Sequence, residues 1–146
     1  MGGTNEGCPS AQTLLAMQAH ADAWEDLEDR YGILEVEEAS ALLGIVDPAE
    51  VAARTERGEL LGVVREGRMI FPRFQFVAGL GSAMGLGEIL AVFRDNDWAP
   101  DSIALWFVDT DGYCNGAEPA AILASNPDLV LSAAVEWIFR LTGASV

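Results

Sequence analysis

The chain has 146 residues, 51% of them hydrophobic and 21% charged, which suits one domain of ordinary size or two very small ones and excludes a disordered composition. Its charge is lopsided: 23 acidic residues stand against 8 basic ones, all of them arginine, for a net charge of -15. Phosphate neutralisation supplies most of the affinity of a free-standing nucleic-acid binder, so this balance speaks against one and against an anionic membrane surface, and it favours a basic protein partner.

Residues 1–10 are rich in Gly, Asn, Ser and Pro and read as a flexible start. No basic stretch followed by an apolar one marks a signal peptide there. The longest apolar runs, Leu60 to Val64 and Ile103 to Val108, fall far short of the roughly 20 residues that cross a bilayer. A cytoplasmic protein is expected. Ser10 can cap a helix from about Ala11 to Asp29, whose apolar positions Leu14, Met17, Ala21, Trp24, Leu27 and Tyr31 recur every three or four residues as one buried stripe. The stripe can face its own domain or, with Trp24 as anchor, the seam of a homodimer.

Gly32 breaks that helix. Ile33 to Gly44 reads as a short strand and a short helix stopped by Gly44. Asp47, Pro48 and Glu50 are placed as N-cap, first helical residue and capping-box acid of a second helix that ends at Gly58. Two such helices form a helix-turn-helix. The β-prone segments Leu61 to Arg65 and Arg68 to Phe71, separated by Glu66-Gly67, read as a hairpin and hence as a wing. The spacing Gly79-x-Gly81-x-x-x-Gly85 misses both the dinucleotide and the phosphate-loop patterns, and no lysine is available. That stretch reads as a mobile connector. Helices follow over Leu86 to Arg94, from Pro100 through Trp106 and Phe107, from Pro119, and from Asn126-Pro127-Asp128 to about Leu141. The last carries more apolar residues than one packed stripe requires, as a partner-facing or a deeply buried helix would. Asp109 to Tyr113 lacks the ligand spacing of a calcium loop and reads as a turn.

The expected fold is therefore mainly α. Residues 1–31 form a flexible start and helix, 32–77 a winged helix-turn-helix with a small β-hairpin, 78–87 a glycine-rich connector, and 88–146 a small helical domain. Cys8 and Cys114 are far apart, no CxxC occurs, and His20 is the one histidine. That set fills no zinc shell and builds no nucleophile constellation, so neither a catalytic residue, a metal nor a cofactor is expected. His20 reads as a solvent-facing helical histidine.

Two segments resemble known families. Leu34-x-Val36-Glu37-Glu38-Ala39-x-x-Leu42-Leu43-Gly44, Gly58 to Val63, and Phe71-Pro72-x-Phe74-Gln75-Phe76 resemble winged helix-turn-helix domains of excisionase and MerR type. Leu105-Trp106-Phe107, Asp109 to Gly112, Gly116, Pro119 and Ile122-Leu123 resemble the toxin-binding domain of Xre/MbcA/ParS-type antitoxins. The second likeness implies an antitoxin of a type II toxin-antitoxin system. It would neutralise by occlusion a protein toxin encoded nearby, for instance a RES-type, NAD-consuming one, and bind its own operator as a homodimer. Trp106, Phe107, Gly116, Pro119, Leu123, Trp137 and Leu141 are then the partner-binding candidates.

A DNA-binding regulator without a toxin is the alternative, and its support is positional. Arg54, Arg57, Arg65, Arg68 and Arg73 fall on the second helix, the wing and its exit. A winged helix places its second helix in the major groove and its wing on the backbone. Against this, residues 31–75 hold 8 acids and 5 arginines, net -3 (5 minus 8), and Glu50, Glu56, Glu59 and Glu66 stand ready to pair with those arginines. Ala53 and Glu56 also occupy places that similar domains make basic.

Overall fold

The computed structural model describes residues 10–77, 81–109 and 114–142. It is mainly helical with two small antiparallel sheets. Helix α1 (Ala11–Arg30) begins where Ser10 caps it, the Ser10 hydroxyl accepting from the Thr13 N–H at 3.1 Å. Strand β1 (Ile33–Glu35) leads into α2 (Val36–Leu43), which ends on Gly44 at φ 70, a left-handed conformation that suits glycine. Helix α3 (Pro48–Glu56) starts with the Asp47 carboxylate accepting from the Ala49 N–H at 3.0 Å. Strands β2 (Val63–Arg65) and β3 (Arg68–Pro72) form the hairpin. Both turn residues have positive φ, Glu66 at 54 and Gly67 at 77, as a two-residue turn of the primed kind requires.

The strand order is β1-β3-β2, so β1 pairs with β3 and the wing has three strands. This is the helix-turn-helix and wing expected from the sequence, with one strand more. A 3-10 turn (Arg73–Gln75) follows, and β4 (Phe76–Val77) pairs with β5 (Gly81–Ser82). The glycine-rich segment expected to be a connector therefore contributes a strand, while residues 78–80 lie outside the described part. Among the described residues four helices follow: α4 (Leu86–Arg94), α5 (Pro100–Trp106), α6 (Pro119–Ile122) and α7 (Pro127–Thr142). Residues 110–113 of the expected turn also lie outside the described part. Among the described residues no helix is long and apolar enough to cross a membrane.

Two apolar clusters hold these elements. The larger draws on Trp24 and Leu27 of α1, Val63 and Ile70 of the hairpin, and the buried faces of α4, α5 and α7. The smaller, under the helix-turn-helix, consists of Ala39, Val51, Leu60 and Phe71. Two sequence expectations change here. The capping-box acid is found at α2, where the Glu38 carboxylate accepts from the Glu35 N–H at 3.0 Å, whereas Glu50 turns to arginines instead. The stripe on α1 is buried over its second half only. Trp24 and Leu27 are fully buried, while Leu14 and Met17 are 54% and 58% exposed because α1 runs past the edge of the core. Trp24 is an anchor within its own chain, not a residue free for a dimer seam.

Among the described residues, Gln75 is a polar side chain with no exposed surface. Its amide oxygen accepts from the Leu61 N–H at 2.8 Å, and its NH2 donates to the carbonyls of Leu61 at 2.8 Å and Pro72 at 3.1 Å. The residue thus bolts the approach to β2 onto the end of β3, where no strand partner satisfies those main-chain groups.

Candidate nucleic-acid interface

Helix α3 is positioned by one buried side chain, Val51, and by its cap at Asp47. Its outward residues are short or acidic: Ala49, Ala52 and Glu56 are exposed. The sequence singled out five arginines around it, and the structure accounts for each. The Arg54 Nε lies 3.2 Å from the Glu50 carboxylate, one helical turn away. Arg57 donates to Glu59 at 2.7 Å and to Glu50 at 3.3 Å. Hydrogen bonds from Arg54 and then Arg57 hold the Glu50 carboxyl below its ordinary range. Glu59 and then Glu50 raise the Arg57 guanidinium.

On the wing, Arg65 and Arg68 are direct cross-strand partners. They turn to different places. The Arg65 guanidinium stacks 4.3 Å above the Trp24 ring, a cation–π contact that ties the wing to α1. Arg68 reaches the Glu35 carboxylate at 2.6 Å. Arg73 is exposed at the wing's exit. All five thus lie on the helix-turn-helix and wing, and four of them already have partners. Of the glutamates expected to neutralise them, Glu50 and Glu59 do so. Glu35 was not foreseen, because it is 33 positions away from Arg68 and becomes its neighbour only through the pairing of β1 with β3.

The partner-binding candidates divide by burial. Trp106, Phe107, Pro119 and Leu123 are buried, and three of them belong to the larger core. Trp106 packs 4.9 Å from Phe93, and Phe107 packs 5.0 Å from Phe74, centroid to centroid. Their side chains pack in the interior and shape the surface above them. Gly116 is exposed at φ 84, Trp137 is half-buried, and Leu141 is exposed. Trp137 and Leu141 are one helical turn apart and share a face of α7. Phe139, 47% exposed, was not singled out from the sequence.

Other titratable groups are structural. The Glu118 carboxylate accepts from the Tyr31 hydroxyl at 2.7 Å and pairs with Arg30 at 2.7 Å, joining the end of α1 to the start of α6. Burial, and then that hydrogen bond, push the Tyr31 phenol up to about 12. His20 Nε2 lies 3.5 Å from Asp101 Oδ2, with both side chains substantially exposed. Cys114 is buried, and burial pushes its thiol up, while Cys8 lies outside the described residues. Among the described residues no group of three or more His, Cys, Asp or Glu could hold a metal ion.

No protein-family model matches the chain, and no curated protein matches it. Among solved structures, the NMR structure of Rv2175c is similar, with a TM-score of 0.61 at 19% identity over 73% of this chain and 82% of that one. At that identity the likeness concerns the fold.

Proposed function

We propose that the protein is a DNA-binding regulator of the winged-helix kind. The reading is carried by one observation: a helix-turn-helix backed by a three-stranded wing has five of the chain's eight arginines on it. Helix α3 would enter the major groove, with the β2–β3 hairpin on the backbone. Alanines and Glu56 offer few base contacts beyond a thymine methyl or a cytosine amino group, so phosphates supply most of the affinity. For Arg57 and Arg68 a phosphate contact costs an ion pair already made within the protein, whereas Arg73 is exposed. Binding is therefore weak and steep in salt, with a log–log slope of about -3 if Arg57, Arg68 and Arg73 each meet a phosphate. Fluorescence anisotropy with the DNA upstream of the protein's own gene and with a random duplex, over a range of salt, tests this. No binding to either at low salt removes the reading.

A second reading is favoured by the Trp137–Leu141 face of α7 together with the net charge of -15. There the protein is an antitoxin that occludes a basic toxin encoded nearby. Co-expression with the neighbouring gene's product decides it: a toxic protein that co-purifies supports the reading, and a harmless one that does not co-purify ends it.

A further inference from the structure

A groove runs from the wing to α7, away from the exposed alanines of α3. At the wing end a hollow of about 500 Å³ is walled by Val64 and Met69, which face each other across the hairpin and are 66% and 40% exposed. It shares Thr55, Gly62 and Pro100 with a second hollow of about 370 Å³ that reaches Leu90, Arg94 and Trp98. Trp98 continues into a third with Ser102, and both residues line a fourth with Trp106, Asp109 and Trp137. Shared walls make the four hollows one trough.

The floor of the trough is apolar and its charges are mostly of one sign. Asp97, Asp101 and Asp109 border it, against the single arginine Arg94. An exposed apolar strip rimmed by charge marks a place where another molecule lies.

We propose that this trough docks a basic, extended protein segment. Apolar side chains of the segment would cover Val64 and Met69. An arginine or lysine would lie against the half-buried Trp98, flanked by Asp97 and Asp109, where ring and carboxylates attract a cation together. A second copy of this chain is disfavoured by its own charge of -15, and a nucleic acid by the carboxylates of the rim. The proposal does not depend on DNA contact by α3.

A short fluorescein-labelled peptide alternating arginine and leucine is the probe, read by anisotropy against the full chain. Ser102→Arg places a like charge in the trough, whereas Ser132→Arg, also at an exposed helical position, changes the net charge equally elsewhere. Ser102→Arg is expected to weaken binding about tenfold or more and Ser132→Arg less than about twofold. Val64→Arg, at the other end, is the second variant should Ser102→Arg unfold, and it is expected to behave as Ser102→Arg does. Asp97→Asn keeps a residue that tolerates the positive φ of 63 found there, and it weakens the peptide severalfold. On binding, the Trp98 indole N–H resonance shifts. The proposal is overturned if the two serine variants weaken binding equally, if a glutamate–leucine peptide binds as well, or if the shifts fall on the exposed acids Asp22, Glu25 and Glu28 of α1.

Discussion

The two parts of the winged helix stand on different foundations. The hairpin is fixed by Val63 and Ile70 in the larger core, with Trp24, Phe93 and Phe107, and by Arg65 on the Trp24 ring. Helix α3 rests on the smaller cluster, to which it gives one residue, Val51. Successive residues of a strand face opposite ways, so Ile70 and Phe71 make β3 the wall between the two cores. The difference teaches that the wing and the helix beside it need not share one stability. An element tied down by few buried contacts opens more readily than one embedded in a large core.

The strongest way to break that comparison is to truncate one anchor on each side. Trp24→Ala removes a fully buried indole and the seat of Arg65, and is expected to cost about 3–5 kcal/mol in chemical denaturation. Val51→Ala removes much less and is expected to cost about 2 kcal/mol. Hydrogen exchange separates the two further. Val51→Ala should lower protection in α2 and α3 while leaving α4 and α7 protected. A uniform loss in that variant would show that both cores unfold as one unit.

Gln75 is the polar link between the halves and the next largest effect. Gln75→Leu keeps most of the volume but strands the Leu61 N–H and the carbonyls of Leu61 and Pro72. The expected cost is about 2–4 kcal/mol. Gln75→Glu should recover part of that loss in acid, where the protonated carboxyl can again donate. Equal instability of the two variants at every pH would mean that volume and not hydrogen bonding is what the site demands.

At the seam of α1 and α6, Tyr31→Phe is expected to cost about 1 kcal/mol, the worth of one half-buried hydrogen bond to a carboxylate. The sign with pH follows from the raised phenol. Its ordinary value is 10.0 and its folded value about 12, so its contribution is whole below pH 10 and disappears as pH rises through about 12. Denaturation of wild type and Tyr31→Phe across that range should converge at the alkaline end. Curves that stay parallel would separate the hydrogen bond from the titration.

Local chemistry made much of the fold legible. Ser10, Gly44, Asp47 and Gly67 act through their nearest neighbours, and helix caps and the hairpin turn follow from them. Periodicity gave the buried face of α1 but not how far the core reaches along it, which is why Leu14 and Met17 are exposed. The pairing of β1 with β3 is non-local and leaves no spacing signal, whereas β4 and β5 are close in the chain but lie in a segment whose glycines read as a connector. The same holds at the surface. Glu50 and Arg54 show their ion pair by their one-turn spacing, whereas Glu35 with Arg68 and Arg65 with Trp24 exist only once the sheet and α1 have come together. A large aromatic such as Trp106 or Phe107 carries the same letter whether it faces a partner or a core.

The smallest change in stability probes the lightly held side most directly. Glu50 pairs with Arg54 of α3 and, beside Glu59, with Arg57 at its end, and its side chain is exposed enough that screening leaves the ion pairs little weight in folding. Glu50→Gln should therefore leave the unfolding midpoint almost unmoved. It should raise DNA affinity about threefold, since Arg54 no longer gives up a carboxylate to meet a phosphate, while Arg57 still has Glu59. The salt slope should steepen by about one for each arginine that gains a phosphate. Because the carboxyl is held below its ordinary 4.5, what it does contribute to folding is present above that pH and is lost as pH falls through the lowered value. NMR titration of the Glu50 side chain in an Arg54→Ala, Arg57→Ala double variant should return it to the ordinary range. If Glu50→Gln leaves DNA binding unchanged while that titration behaves as expected, the ion pairs are real but α3 is not the helix that approaches DNA.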